Sequence, residues 1–97
     1  MLKQYSNYIK ENTDNTYTVI CYVDDNQVLE ISGQKTISDA FNNEFGWLEQ
    51  NGIKLNSFDK IDNDHYKFNI STSRSPEEIK REFGWLEQSA IIFKSME

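Results

Sequence analysis

Glu44-Phe45-Gly46-Trp47-Leu48-Glu49-Gln50 recurs, residue for residue, as Glu82-Phe83-Gly84-Trp85-Leu86-Glu87-Gln88. The seven identities include both tryptophans of the chain and stand at a fixed offset of 38 residues, from Glu44 to Glu82. A repeat at a fixed period is the signature of a duplicated structural unit. The same offset sets Ile53 on Ile91, Leu55 on Phe93, Ser57 on Ser95, Asp24 on Asp62 and Phe41 on Ile79. In the first copy, Ile37, Phe41, Phe45 and Leu48 fall at helical spacing and define one apolar stripe. This predicts a helix over about residues 38–51. Thr36 is its N-cap, with Asp39 three residues on, and Gly52 is its stop.

Outward from the motif, residues 16–23 (TYTVICYV) are rich in β-branched and aromatic side chains and read as a strand. Asp24-Asp25-Asn26-Gln27 reads as a turn and residues 28–33 (VLEISG) as a second strand. After the first helix, residues 53–59 read as a strand and Asp62-Asn63-Asp64 as a turn. In residues 66–72, Tyr66, Phe68 and Ile70 alternate with Lys67, Asn69 and Ser71, which predicts a strand buried on one face. Ser75-Pro76-Glu77-Glu78 carries an N-cap, a proline at the first helical position and a capping-box glutamate. Ile79, Phe83 and Leu86 continue the buried stripe, and residues 90–95 (AIIFKS) read as a last strand. Leu2, Tyr5 and Ile9 share one face of a short helix at 2–10.

The expected fold is one α+β domain, a two-layer sandwich in which two helices cover one face of a mostly antiparallel sheet. It divides into a leader (1–15), repeat one (16–53), repeat two (54–91) and a terminal strand (91–95), with each repeat a ββα unit. The 28–95 portion reads β-α-β-β-α-β, a pattern that resembles ferredoxin-like or permuted ferredoxin-like domains. Strands 16–23 and 91–95 then compete for the same neighbour, strand 28–33. One of them is displaced, or pairs with a second molecule in a homodimer through a sheet edge.

The chain has 97 residues, of which 16 are acidic and 10 basic, for a net charge of −6. Such a surface repels phosphates and attracts basic protein surfaces, which argues against direct nucleic-acid binding. The single cysteine, Cys21, lies in an apolar run and has no intramolecular disulfide partner, as suits a reducing compartment. The first residues lack the continuous apolar stretch of a signal peptide, and no segment approaches a membrane span. The expected setting is the cytoplasm, in a bacterium or a phage-infected cell.

Three candidate sites emerge. The first is the duplicated Gly-Trp pair. Trp47 falls about 120° from Phe41 on a helical wheel of 100° steps, at the margin of the stripe. Packing argues that Trp47 and Trp85 close the flank of the core. The alternative is that they are interface anchors and that Gly46 and Gly84 permit close approach of a helix or a partner. The second site is the acidic turn pair, Asp24 and Asp25 with Asp62 and Asp64. Its turns lack the length and glycine of a calcium loop, so no metal is expected. The third is the charged helix face, where Glu44, Glu49, Glu82 and Glu87 stand outside the apolar stripe, as do Glu77 and Glu78. It is either a solvated face or a carboxylate array for a basic cleft.

Catalytic signatures are missing: no GxSxG, P-loop, GxGxxG or HExxH occurs. His65 is the only histidine and stands beside a turn. The expected function is therefore that of a non-catalytic, cofactor-free, acidic binding protein. It is read as an inhibitor or immunity-type protein that neutralises a basic effector such as a toxin nuclease. Two alternatives are a phage anti-defence inhibitor, of anti-CRISPR type or mimicking nucleic acid, and a small-ligand regulatory module with its pocket between the repeats.

Overall fold

The computed structural model describes residues 14–97, so the expected leader helix at 2–10 lies outside the described residues. Strand β1 (Asn15–Val23) is followed by helices α1 (Asp25–Ser32) and α2 (Ile37–Gln50). The hairpin of β2 (Ile53–Asp62) and β3 (His65–Thr72) comes next. Helix α3 (Pro76–Phe83) then tightens into a 3-10 turn (Gly84–Ser89), which feeds β4 (Ile91–Met96). The class is α+β, with a four-stranded sheet in the order β2-β3-β1-β4. Every neighbouring pair is antiparallel.

Alternation sorts the sheet into a buried and a wet face. Val19 stands opposite Phe68 and Cys21 opposite Tyr66, while Phe58 pairs with Phe68 and Phe93 with Cys21. These side chains meet Val28 of α1, Phe41, Phe45 and Leu48 of α2, and Ile79 and Phe83 of α3 in one core. The three helices thus lie on one face, consistent with a two-layer sandwich. On the other face His65, Lys67 and Asn69 pair with Tyr22, Ile20 and Thr18. Lys67 is exposed there, and Asn69 and Thr18 are half-buried.

The stretch expected to be a turn and a strand, 24–33, is instead helix α1. Asp24 is its N-cap and accepts from the Gln27 backbone N–H at 3.3 Å. Gly33 ends it in the left-handed region at φ 73°, where glycine has no Cβ penalty. Aspartate and asparagine serve equally as turn and N-cap residues, which is why the turn reading failed. The signal that marks the helix is Asp24 with Gln27 three residues on, a capping-box spacing, followed by a glycine stop.

This correction removes the expected competition between strands. Residues 28–33 offer no strand to compete for, and β1 sits in the interior of the sheet, with β4 pairing directly on it as an edge. The expected ββα unit of repeat one is therefore replaced by strand-helix-helix, against strand-strand-helix in repeat two. Asp24 and Asp62, matched by the offset, illustrate the divergence. The first caps a helix; the second ends β2, and its Oδ1 accepts from the Asp64 backbone N–H at 2.9 Å in the hairpin turn.

The expected capping box of α3 is formed. The Ser75 N–H donates to Glu78 Oε1 at 3.0 Å and the Glu78 N–H donates to Ser75 Oγ at 3.2 Å. The Ser75 backbone N–H holds the Glu78 carboxyl below its ordinary 4.5, and the Asp64 backbone N–H holds Asp62 below its ordinary 3.8. A carboxylate with a lowered folded-state pKa contributes stability above its unfolded value and loses it as pH falls through the folded one. Acidification below the ordinary carboxylate range is thus expected to lower the urea midpoint. Between about pH 7 and about pH 3, Glu78→Gln, which keeps the acceptor without the charge, should lose less than the parent chain. Equal losses would remove Glu78 from the acid response.

Candidate functional site

The two copies of the repeated motif converge on one cleft. In α2, Phe45 and Leu48 point into the core at helical spacing, and Trp47 steps off that stripe. In the second copy the chain winds as a 3-10 turn, whose period of three stacks residues i and i+3. Phe83, Leu86 and Ser89 accordingly face inward, while Trp85 and Gln88 share the outer face. Different helical geometries therefore give the same result, with the phenylalanine and leucine buried and the tryptophan out. Each copy then ends in a residue with positive φ, Gly52 at 89° and Ala90 at 66°, and each enters an edge strand at an isoleucine, Ile53 or Ile91.

The expectation that the indoles close the flank of the core is corrected. Trp47 is 63% exposed and Trp85 65% exposed, the most exposed large hydrophobic side chains among the described residues. They line a cleft of about 350 Å³ together with Glu44 and Glu82, over buried Leu48 and Leu86. Asn51 and Ser89, which match under the offset, and Gln88 complete the lining. Ser89 Oγ donates to Glu44 Oε1 at 2.6 Å, a bond that ties one copy of the motif to the other. Asn51, Gln88 and Ser89 were missed as site residues. The repeat pointed at them, because a polar residue follows Gln50 and Gln88 in both copies.

The other sequence candidates lie outside this cleft. Glu49 and Glu87 are exposed and do not line it. Asp24 is occupied as the cap of α1. Asp25 Oδ2 accepts from Lys60 Nζ at 2.9 Å and from the Tyr66 hydroxyl at 3.1 Å. That proximity, and first of all the side-chain bond to Asp25, raises the Lys60 pKa, while burial raises that of Tyr66. Asp62 Oδ1 lies 2.9 Å from His65 Nδ1, and the exposed Asp64 offers its carbonyl to the Val23 N–H at 2.7 Å. Asp24 and Asp62 thus bond within their own turns, Asp25 ties α1 to the β2–β3 hairpin, and Asp64 contributes its backbone carbonyl. Among the described residues, no group of three or more His, Cys, Asp or Glu side chains is placed to hold a metal ion.

Cys21 and His65 are held apart by the sheet. Cys21 faces the core opposite Tyr66, and burial pushes its thiol up to about 12. His65 pairs in register with Tyr22 and meets that ring edge-on at 5.8 Å, on the other face. A thiol–imidazole pair would need both on one side. The wet face carries a smaller polar depression of about 180 Å³, bordered by Thr18, Ser57, Asp59, Lys67 and Asn69. Among the described residues, no helix is long and apolar enough to cross a membrane.

Gly46 and Gly84 are not needed for packing inside the chain. A Cβ added at either position would meet nothing within 4 Å among the described residues. The helices do not approach each other through these glycines. Gly46 lies inside α2 and has no positive φ. Gly46→Ala is therefore expected to raise stability by about 1 kcal/mol, the usual helix-interior difference. A urea or thermal midpoint unchanged or lowered by this substitution would show that the position is constrained after all.

Compared with protein-family models, with curated proteins and with solved structures, the chain gives no match in any of the three.

Proposed function

We propose that this chain is a small, non-catalytic, acidic binding protein that neutralises a basic protein, such as a toxin nuclease, by docking through the Trp47–Trp85 cleft. The observation that carries the reading is the convergence of two exposed tryptophans, one from each copy of the motif, on a single glutamate-lined cleft. Exposed indoles are costly in water and are enriched at binding hot spots. The net charge of −6 favours fast association with a basic surface. The buried Cys21 thiol and the absence of histidine and cysteine from the cleft lining support a binding role over a catalytic one. We read the architecture as ferredoxin-like. β1, α2 and β2 make one β-α-β half, β3, α3 and β4 the other, and α1 is an addition to the first. That arrangement brings the two motif copies side by side on the helical layer.

The test is to immobilise the chain, recover the proteins it retains from its native cell, and assay the retained basic protein for nuclease activity with and without the chain. Inhibition that disappears with the double variant Trp47→Ala/Trp85→Ala is the expected outcome. Retention of no basic protein, or retention without inhibition, would overturn the reading. A second reading, a small-ligand regulatory module, is favoured by the position of the cleft between the two motif copies. A metabolite that stabilises the chain by more than about 1 kcal/mol at saturation would support it.

A further inference from the structure

We infer that the cleft is an arginine receptor: a guanidinium group of the partner stacks against the indoles of Trp47 and Trp85 and is held by the carboxylates of Glu44 and Glu82. This inference rests on the reading of the chain as a binder of a basic protein and names the chemistry by which it binds. Three observations point to it. First, the cleft combines two exposed indoles with two half-buried glutamates. Indole faces attract cations, and a planar guanidinium both stacks on aromatic rings and meets carboxylates with a fork of N–H donors. An ammonium matches the charge but neither the plane nor the fork.

Second, the volume of about 350 Å³ lies at the small end of ligand sites, which span about 300–1,000 Å³. It suits an inserted side chain better than a folded element. Third, the motif is identical at positions that the core does not read. Phe45, Leu48, Phe83 and Leu86 are demanded by packing, but the exposed tryptophans and the glycines before them are not. Among the described residues, a Cβ at the position preceding each indole would meet nothing within 4 Å. Identity at such positions is explained by one chemical task performed twice, with each copy supplying one aromatic wall and one carboxylate.

Glu44 is pre-oriented by the hydroxyl of Ser89, which donates to its Oε1 at 2.6 Å. Its second oxygen, Oε2, accepts a long bond from the neighbouring Asn43 amide at 3.5 Å, the one further contact among the described residues.

The chain reports on this site directly, because Trp47 and Trp85 are its only tryptophans. Intrinsic fluorescence would be titrated with a hexa-arginine peptide, a hexa-lysine peptide, tetramethylammonium chloride and a hexa-glutamate peptide. Saturable change with hexa-arginine is expected, with affinity several-fold above that of hexa-lysine and no response to hexa-glutamate. Glu44→Gln/Glu82→Gln, which keeps an acceptor for Ser89, should weaken hexa-arginine binding about tenfold or more while leaving the far-UV circular dichroism unchanged. Equal affinity for arginine and lysine peptides, or a stronger response to tetramethylammonium, would overturn the guanidinium assignment. If calorimetry shows hexa-arginine binding that the double glutamine variant leaves intact, the cleft assignment falls while a basic partner stands. If hexa-arginine fails to bind even at low salt, both readings fall.

Discussion

Replacing Phe41 with Ala is expected to lower stability by about 3–5 kcal/mol, the range for truncating a buried phenylalanine. The physical case lies in its neighbours. Phe41 is fully buried and stands edge-on to Phe58, Tyr66 and Phe68, with ring centroids 5.0, 4.9 and 5.0 Å away, and to Phe45 at 6.4 Å. Truncation removes the buried area and leaves a cavity lined by rings whose positions are set by two sheet strands and a helix. Each aromatic pair contributes about 0.5–1.5 kcal/mol beyond area burial, which puts Phe41 at the upper end of the range. Phe45→Ala and Phe83→Ala should cost similar amounts, because both rings are buried and meet each other at 5.7 Å. A domain of this size has only about 5–15 kcal/mol in total, so Phe41→Ala should be partly unfolded at modest urea concentrations. Urea midpoints measured by far-UV circular dichroism decide the matter. A loss below about 1 kcal/mol at Phe41 would contradict a single aromatic core.

Trp47→Ala and Trp85→Ala should behave in the opposite way. Both indoles are mostly exposed, so each substitution is expected to change stability by no more than about 0.5 kcal/mol, as for other surface positions. Binding to the basic partner should instead fall by about 2 kcal/mol or more, roughly 30-fold, as at other tryptophan hot spots. Isothermal titration with the retained partner, beside urea melts of the same proteins, separates the two effects. A stability loss comparable to that of Phe45→Ala would return the indoles to the core. Unchanged affinity would remove them from the interface.

The contrast between these two sets of aromatic residues shows what a linear reading can reach. Phe45 and Leu48 were legible as core because helical periodicity alone puts them in line with Phe41. Trp47, a third of a turn or so away, sits at the margin of the stripe, where packing and exposure are both allowed. Only the position of α2 against α3 and the 3-10 turn decides between them. The glutamates divide in the same way. Glu44, Glu49, Glu82 and Glu87 read alike as acidic helical residues, but only Glu44 and Glu82 turn toward the other motif copy. The aspartates of 24–25 and 62–64 meet at one end of the sheet, where the Val23 N–H donates to the Asp64 carbonyl and Lys60 bonds Asp25, but among the described residues they form no cluster placed to hold a metal ion.

What the sequence determined by itself is the local structure wherever one signal was unopposed. These places are the alternation of β3, the capping box and proline at the start of α3, the stripe of α2 ended by Gly52, and the class α+β. Each rests on interactions within about one turn of helix or one pleat of strand, so neighbouring residues carry the whole cause. Tertiary structure alone decided the rest. Residues 24–33 hold β-branched side chains that suit a strand and an N-cap with a glycine stop that suit a helix. Burial of Val28 of α1 against the sheet, with both sides of β1 already paired by β3 and β4, settles the conflict. The second motif winds as a 3-10 turn although its sequence is that of the α-helical first copy and its strand begins at the same distance, so the difference is tertiary in origin. The cleft itself belongs wholly to this level. Its two walls stand 38 residues apart in sequence, and they meet because the antiparallel sheet lays α2 and α3 on the same face.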